Sequence, residues 1–290
     1  MAAFDLGAFS DALADIAAGA EGMTAALHLE HGHTASAFHW KDGVFIAAEE
    51  RIDPDEQIQL TLPNGKTAPA KLVGRDPSTG IALLKPETEG TWPVLAKAEP
   101  VRPGNIVVLA GRGTNSPLAV MGSVGEAGPA WRSMRGGTID RRILLAAAVG
   151  GRFEGGPVLD ARGALVGVLL FGPRFRALVI PYETVERAVT ALLEKGHVSR
   201  GYLGASLHPV RDASLKGAMV MQLDEEGPAK KAGLTIGDVI VGWNGDPVSG
   251  PRELIRKLGT DSVGAEVKLW IMRGGESREM PVTIGGKPLS

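Results

Sequence analysis

The sequence predicts a mostly β protein: two small barrels packed together, followed by a compact third unit. Three observations predict it. Short apolar runs alternate with turn residues from about residue 22, and again beyond the stretch from Pro93 to Pro103, giving two successive groups of about six strands. Glycine is abundant at 40 of 290 residues, with 19 prolines, which favours tight turns over long helices. The strands follow one another without intervening helices, which argues against alternating strand–helix units.

Taken in order, Leu6, Phe9, Leu13 and Ile16 stand at helical spacing and predict a helix within residues 1–21, with Ser10 available as its cap. Its alanine-rich face either covers a barrel or touches a neighbouring subunit. MTAALHLE, TASAFHW, VFIAA, QIQLTLP and PAKLVG read as strands, with turns at Asp42-Gly43 and Asn64-Gly65, and Ala82-Leu83-Leu84 as a further buried strand. These make a first barrel over residues 22–94. NIVVLA, LAVMGSV, ILLAAAV, PVLD, ALVGVLL and ALVIP make a second over 95–195. It ends in a helix from Pro181 to about Lys195, with Tyr182, Val185, Val189, Leu192 and Leu193 on one side and Gly196 as its stop. Residues 196–200 read as a linker, 201–286 as the third unit and 287–290 as a tail. The third unit has strands GYLGASL, GAMVMQL, GDVIVGWNG, EVKLWIM and MPVTI and helices PAKKAG and RELIRKLG.

Composition removes several classes of function. Lysine plus arginine (31) against aspartate plus glutamate (33) gives 31 − 33 = −2, so no surface built to collect phosphate backbone is expected, and no nucleic acid partner. With 44% hydrophobic and 22% charged residues, a sizeable core is expected. The absence of cysteine excludes disulfides, thiolate nucleophiles and cysteine-ligated metals. MAAFDLGAFSDALADIAAGAEG has no basic leader and carries Asp5, Asp11 and Asp15, and no apolar run is long enough to span a bilayer. A cytoplasmic location without a membrane span is the resulting expectation.

The order of motifs resembles the HtrA/DegP family. ASAFHWKDGVFIAAEERI resembles that family's segment with the catalytic histidine, GRDPSTGIALLKP the segment with the aspartate, and GRFEGGPVLDARGALVGVL the nucleophile loop. RALVIPYETVERAVTALLEKGHVSRGYLGA resembles the passage into the family's terminal domain. The likeness covers roughly residues 22–286. It implies a chymotrypsin/trypsin-like double β-barrel followed by a C-terminal PDZ domain, and a homotrimer, with another small oligomer or a heteromeric complex as alternatives.

That family's chemistry needs a hydroxyl nucleophile, an imidazole base and a carboxylate that orients the base. At the matching positions stand Glu154, Glu50 and Gly80, and Arg152 replaces a glycine of the oxyanion loop. Asp76 and Ser78 lie outside the matching positions and do not substitute. A carboxylate is a poor nucleophile, and a glutamate lacks the two nitrogens of an imidazole relay. The expectation is a degenerate, proteolytically inactive member that needs no cofactor. In the resembling geometry Glu50 and Glu154 face one cleft, where they either share a proton, bind a cation or support hydrolysis, or are held apart and neutralised by Arg51 or Arg152.

His28, His31, His33 and His39 crowd one predicted hairpin; the alternatives are a surface hairpin and a weak metal site. Arg132, Arg135, Arg141 and Arg142 are a second local excess, read as a solvated loop or a patch for an acidic protein. In the third unit, Tyr202-Leu203-Gly204-Ala205 resembles the carboxylate-binding loop of the PDZ domain. Ala205, Ser206 and Leu207 are then expected to pair with an incoming peptide strand. Leu254, Ile255 and Leu258 on the second helix are groove candidates, with Leu203 and Ile255 shaping a pocket for an apolar last residue; some of these side chains alternatively fill the domain's own core. Trp243 and Trp270 read as packing residues, and Gly237-Asp238, Asn244-Gly245 and Gly274-Gly275 as turns. The function expected is noncatalytic recognition of a protein or peptide, including a C-terminal tail, by an adaptor, chaperone-like or assembly component. The alternatives are a scaffold with an occluded groove and a hydrolase using Glu50 and Glu154.

Overall fold

The computed structural model describes residues 5–53, 57–196, 200–212 and 215–286. The chain forms two compact units: Met1–Trp131 with Ile139–Val198, and Arg132–Thr138 with Ser199–Ser290.

The first unit holds two closed antiparallel barrels. Strands β1 (Thr24–His28), β2 (Thr34–Lys41), β3 (Val44–Ala48), β4 (Gln59–Thr61), β5 (Thr67–Asp76) and β6 (Ile81–Pro86) close in the order β1-β2-β3-β6-β5-β4. Asp42 and Gly43 join β2 to β3 with φ of 54° and 74°, the left-handed pair that a two-residue hairpin turn requires. Successive side chains on a strand face opposite ways, and here both faces are buried. Phe45 and Ala47 on β3 and Ala82 and Leu84 on β6 fill the barrel together with Ala25, Ala35 and Ala37. So many alanines suit the interior because barrel width falls with strand number. Ile46, Ile81 and Leu83 face the other way, into a layer shared with the second barrel.

That second barrel comprises β7 (Ile106–Arg112), β8 (Pro117–Gly128), β11 (Arg142–Ala146), β12 (Pro157–Asp160), β13 (Leu165–Gly172) and β14 (Arg176–Pro181), closed in the order β11-β14-β13-β12-β7-β8. Short strands β9 (Trp131–Arg132) and β10 (Thr138–Ile139) lie between β8 and β11 in the chain. Val108, Ala110, Val168 and Ile180 meet Ile46, Ile81 and Leu83 in the shared layer.

Two helices close that layer. Helix α1 (Leu6–Glu21) packs on β7 and β8 through Leu13, Ile16, Ala17 and Ala20. Its cap is Asp5, not Ser10: the Asp5 carboxylate accepts from the N–H groups of Gly7 and Ala8 at 2.9 and 3.1 Å, so Ser10 falls inside the helix. Helix α2 (Tyr182–Lys195) buries Val185, Ala188, Val189 and Leu192. Leu193, expected on that side, is 42% exposed, because one residue past Leu192 turns it about 100° off the stripe. Gly196 ends the helix at φ 71°.

The C-terminal unit contains β15 (Gly201–Tyr202), β16 (Ala205–Arg211), β17 (Lys216–Leu223), α3 (Pro228–Lys231), β18 (Val239–Trp243), β19 (Asp246–Pro247), α4 (Pro251–Lys257), β20 (Glu266–Arg273), β21 (Glu276–Thr283) and β22 (Gly285–Gly286). Its sheet runs β16-β17-β18-β20-β21, with β19 paired to β18, and β15 pairs with β22. Trp243 lies in the core with Leu203, Val220, Ile240, Leu254 and Leu269, whereas Trp270 is 40% exposed. Asn244-Gly245 and Gly274-Gly275 are turns with positive φ at every position. Most of the expected linker, 197–199, and the tail, 287–290, lie outside the described residues.

Two expected outcomes follow from this packing. At Gly155 φ is 83°, and a Cβ would fall 2.7 Å from the Ala48 nitrogen and closer still to the Ser36 carbonyl. Gly163 also has positive φ, at 80°, but faces open space. In urea unfolding, Gly155→Ala should lose about 2–4 kcal/mol, and Gly163→Ala only the backbone share of about 1 kcal/mol. The second outcome concerns Asp238, which is buried beside Arg273. Burial pushes the Asp238 carboxyl up, but the Arg273 guanidinium and the Thr235 N–H outweigh it and hold the group below the ordinary 3.8. A lowered carboxyl stabilises the fold above its unfolded value, and that contribution disappears as pH falls through the folded value. The C-terminal unit should therefore weaken below about pH 4, and Asp238→Asn should flatten that part of a stability–pH curve.

Candidate functional site

The loop before β12 is set by its glycines. Gly151–Phe153 forms one 3-10 turn, after which Gly155 and Gly156 pass where the barrels leave no room for side chains. Ser36 on β2 fastens the loop at two points and ties it to β7 by a third hydrogen bond. Its N–H donates to the Glu154 carbonyl at 2.9 Å, its hydroxyl donates to the Arg152 carbonyl at 2.6 Å, and the hydroxyl accepts from the Arg112 N–H at 3.1 Å. The Glu154 N–H donates back to the Gly151 carbonyl at 3.1 Å. A main-chain donor at that position, which an oxyanion hole would aim outward, is thus spent inside its own loop.

Glu154 is 4% exposed and is ion-paired with the Arg51 guanidinium. Arg51 belongs to the 3-10 turn Glu49–Arg51 after β3. On the same turn Glu49 is buried and pairs with Arg75 at 2.5 Å, while Glu50 is exposed. The two glutamates expected in one cleft therefore occupy unlike surroundings: one is buried against a guanidinium, and the other faces solvent. Of the two arginines considered as a neutralising partner, Arg51 is the one used. The Arg152 guanidinium is exposed and has no hydrogen bond or ion pair among the described residues.

Gly80 ends the turn between β5 and β6 at φ 77°, where a Cβ would lie 2.6 Å from Leu170 Cδ1. Its carbonyl accepts from the Glu49 N–H at 2.9 Å. Asp76 takes both the N–H and the hydroxyl of Ser78, at 2.9 and 2.6 Å, and the Thr79 hydroxyl at 2.7 Å. Asp76 and Ser78 are thereby occupied in holding that buried turn.

The histidines do not converge. His28 Nε2 meets the Thr61 hydroxyl at 2.7 Å, and His31 and His33 are exposed. His39 is buried, with Nδ1 2.9 Å from the Pro93 carbonyl and Nε2 accepting from the Gly43 N–H at 3.2 Å, a pair of bonds met by the tautomer protonated on Nδ1. Among the described residues no group of three or more His, Asp or Glu is placed to hold a metal. The arginine excess also disperses: Arg132 binds Asp261 at 2.5 Å, Arg141 the Val101 carbonyl at 2.9 Å, and Arg142 Glu126 at 3.0 Å.

In the C-terminal unit β16 is an edge strand, paired through Ala205, Ser206 and Leu207 with β17 on one side only, and α4 lies beside it. Gly204 turns the chain at φ 72° between Tyr202 and Ala205. The carbonyls of Leu203 and Gly204 accept from Ala229 and Asp224, whereas their N–H groups have no partner among the described residues. Leu254 and Leu203 are core residues at 0% and 3% exposure, so they shape the unit from within. Leu207 and Leu258 are half-buried against that core, and Ile255 is 42% exposed.

Residues 35–168 match the trypsin-like peptidase domain family, and residues 201–284 match the PDZ domain family. The "Probable periplasmic serine endoprotease DegP-like" of Brucella suis is 33% identical over 267 residues, which cover 86% of this chain and 51% of the relative. The protein of the same name from Rhizobium meliloti is 31% identical over 271 residues, covering 87% and 53%. The chain is homologous to the HtrA/DegP family. It spans about half the length of these curated relatives. The solved HtrA-type protease AlgW with decapeptide shares the fold at TM-score 0.69 and 21% identity, covering 96% of this chain and 99% of that one. The serine endoprotease from Yersinia pestis does so at 0.69 and 22%, covering 95% and 98%.

One expectation is overturned by these HtrA/DegP relatives. They are named as periplasmic, so the cytoplasmic location does not stand. An acidic first segment and a cysteine-free composition do not report compartment, since a protein without cysteine suits either. Among the described residues no helix is long and apolar enough to cross a membrane.

Sequence reasoning missed Ser36 and the Glu49–Arg75 pair. Their partners lie 116 and 26 positions away in sequence, and no local pattern links them. The Arg51–Glu154 pair can be tested by a double-mutant cycle. Arg51→Met alone should cost about 2 kcal/mol in urea unfolding by leaving a buried carboxylate without its partner, and the double variant Arg51→Met/Glu154→Leu should recover most of that loss.

Proposed function

We propose that this chain is a noncatalytic, HtrA-like protein-binding component, an adaptor or chaperone-like factor that takes peptide ends through its PDZ domain. One observation carries the reading: the nucleophile position holds a buried glutamate locked onto Arg51, with its own N–H turned into the loop. A peptidase of this architecture needs a free nucleophile there and outward main-chain donors. With Glu50 exposed at the base position and Gly80 at the carboxylate position, the relay has no imidazole and no orienting acid. A carboxylate-pair hydrolase is less well supported, because a guanidinium rather than a second carboxylate lies against Glu154.

The binding half of the proposal rests on the edge of β16. An incoming C-terminal strand would add beside Ala205, Ser206 and Leu207, with its carboxylate on the N–H groups of Leu203 and Gly204 and its last side chain near Ile255. The relatives' periplasmic naming makes exported proteins the natural source of such ends.

The test has two arms. Unfolded protein incubated with the full chain should yield no fragments by mass spectrometry, for wild type and for Glu154→Ser alike. Fragments from wild type that vanish in Glu154→Gln would refute the noncatalytic assignment. In fluorescence anisotropy, a peptide with an apolar free C-terminus should bind, and amidation of that terminus should weaken it about tenfold or more. Equal binding of the free and amidated peptides would rule out carboxylate capture.

A further inference from the structure

One cleft of the first unit carries positive charge with no acid in its lining among the described residues. Arg152 stands where the resembling proteases carry glycine, and its guanidinium is exposed without a partner among the described residues. It lines a cleft of about 310 Å³ with His33, Gly113, Thr114, Asn115 and Ser116, contributed by the β1–β2 loop and the β7–β8 turn. Nη1 of Arg152 reaches 3.8 Å from the place a Gly113 Cβ would occupy, so the charge lies over that turn. Every polar side chain named there can donate a hydrogen bond, and among the described residues no acid lines the cleft.

The main chain of Arg112 adjoins the cleft. Arg112 immediately precedes Gly113, and its main-chain N–H and the Arg152 carbonyl share the Ser36 hydroxyl. Alternation along β7 places Arg112 on the face of Val108 and Ala110, towards the layer between the barrels. Its Nε is buried with no hydrogen-bond partner. The nearby acid of the loop, Glu154, is already neutralised by Arg51. The Arg152 guanidinium, exposed in a cleft that no acid lines among the described residues, attracts anions.

We propose that this cleft is a second recognition site that takes the carboxylate side chains of an acidic peptide segment, with Arg152 as the anchoring cation. The dimensions favour a peptide over a free ion. At about 310 Å³ the cleft is larger than one small oxyanion needs. It also lies beside the Arg152–Glu154 loop, so a chain laid between the barrels passes it. The inference rests on the noncatalytic reading, since a bound segment must survive intact, but it does not depend on the PDZ groove.

The experiment uses the full chain and a short fluorescein-labelled peptide rich in glutamate, amidated so that it offers no terminal carboxylate, beside its all-glutamine counterpart. The glutamate peptide should bind, the glutamine peptide should bind about tenfold more weakly or worse, and added salt should weaken the glutamate complex. Arg152→Gln, a change on an exposed side chain, should lower the affinity about tenfold. Equal binding of the two peptides, or binding unchanged in Arg152→Gln, overturns the proposal. So does Arg152-dependent binding of inorganic phosphate without any binding of the glutamate peptide. Peptide recovered afterwards separates the two readings. Cleaved peptide defeats the noncatalytic assignment, whereas peptide that is intact but never bound defeats this site alone.

Discussion

The seam where residues 150–156 thread between the barrels constrains the rest of the first unit. Ser36 holds the loop by two hydrogen bonds and joins it to β7 by a third, the Gly155 N–H donates to the Leu169 carbonyl at 2.8 Å, and main chain passes main chain too closely for any Cβ. Buried main-chain groups must be paired, and here the pairing of one barrel is completed by the other. The loop therefore keeps its path only while Gly155 and Gly156 stay glycine, whereas its exposed Arg152 can change without disturbing the packing.

Within that frame, an ion pair fills the position that the resemblance assigns to a nucleophile. A buried carboxylate is costly to desolvate, and Glu154 is retained because Arg51 meets it from the neighbouring turn. The same turn places Glu49 against Arg75. Gly80 removes a side chain beside Leu170 and leaves a carbonyl that ties the β5–β6 turn to Glu49. The three altered positions thus lie in one connected set of contacts around Glu49–Arg51. Arg152 stands apart from it, facing solvent, and that separates a structural replacement from one available to a ligand.

The C-terminal unit has the opposite character. Its core, around Trp243, Leu254 and Leu269, is complete without any ligand, yet β16 keeps one edge unpaired and Gly204 leaves main-chain donors unused. Edge strands left open invite pairing with another chain. The proposed division of labour follows from this contrast: one unit whose buried seam is closed and charged, and one whose sheet edge is open.

Much of this was readable in the sequence alone. Period-two patterning, glycine pairs such as Asp42-Gly43 and Asn244-Gly245, and the helix ended by Gly196 are local signals, so both barrels, α2 and the terminal unit followed from them. The assignment of residues 50, 80 and 154 to the resembling family's triad positions rests on motif position alone, which is a property of the chain. Tertiary structure decided everything that depends on partners distant in sequence. It chose Arg51 over Arg152 for Glu154, buried Leu254 and left Ile255 at the surface, scattered the four histidines, and joined Arg112 to Arg152 through Ser36. The physical reason is that burial and ion pairing depend on which segments meet across the barrels, and spacing along a single segment does not carry that information.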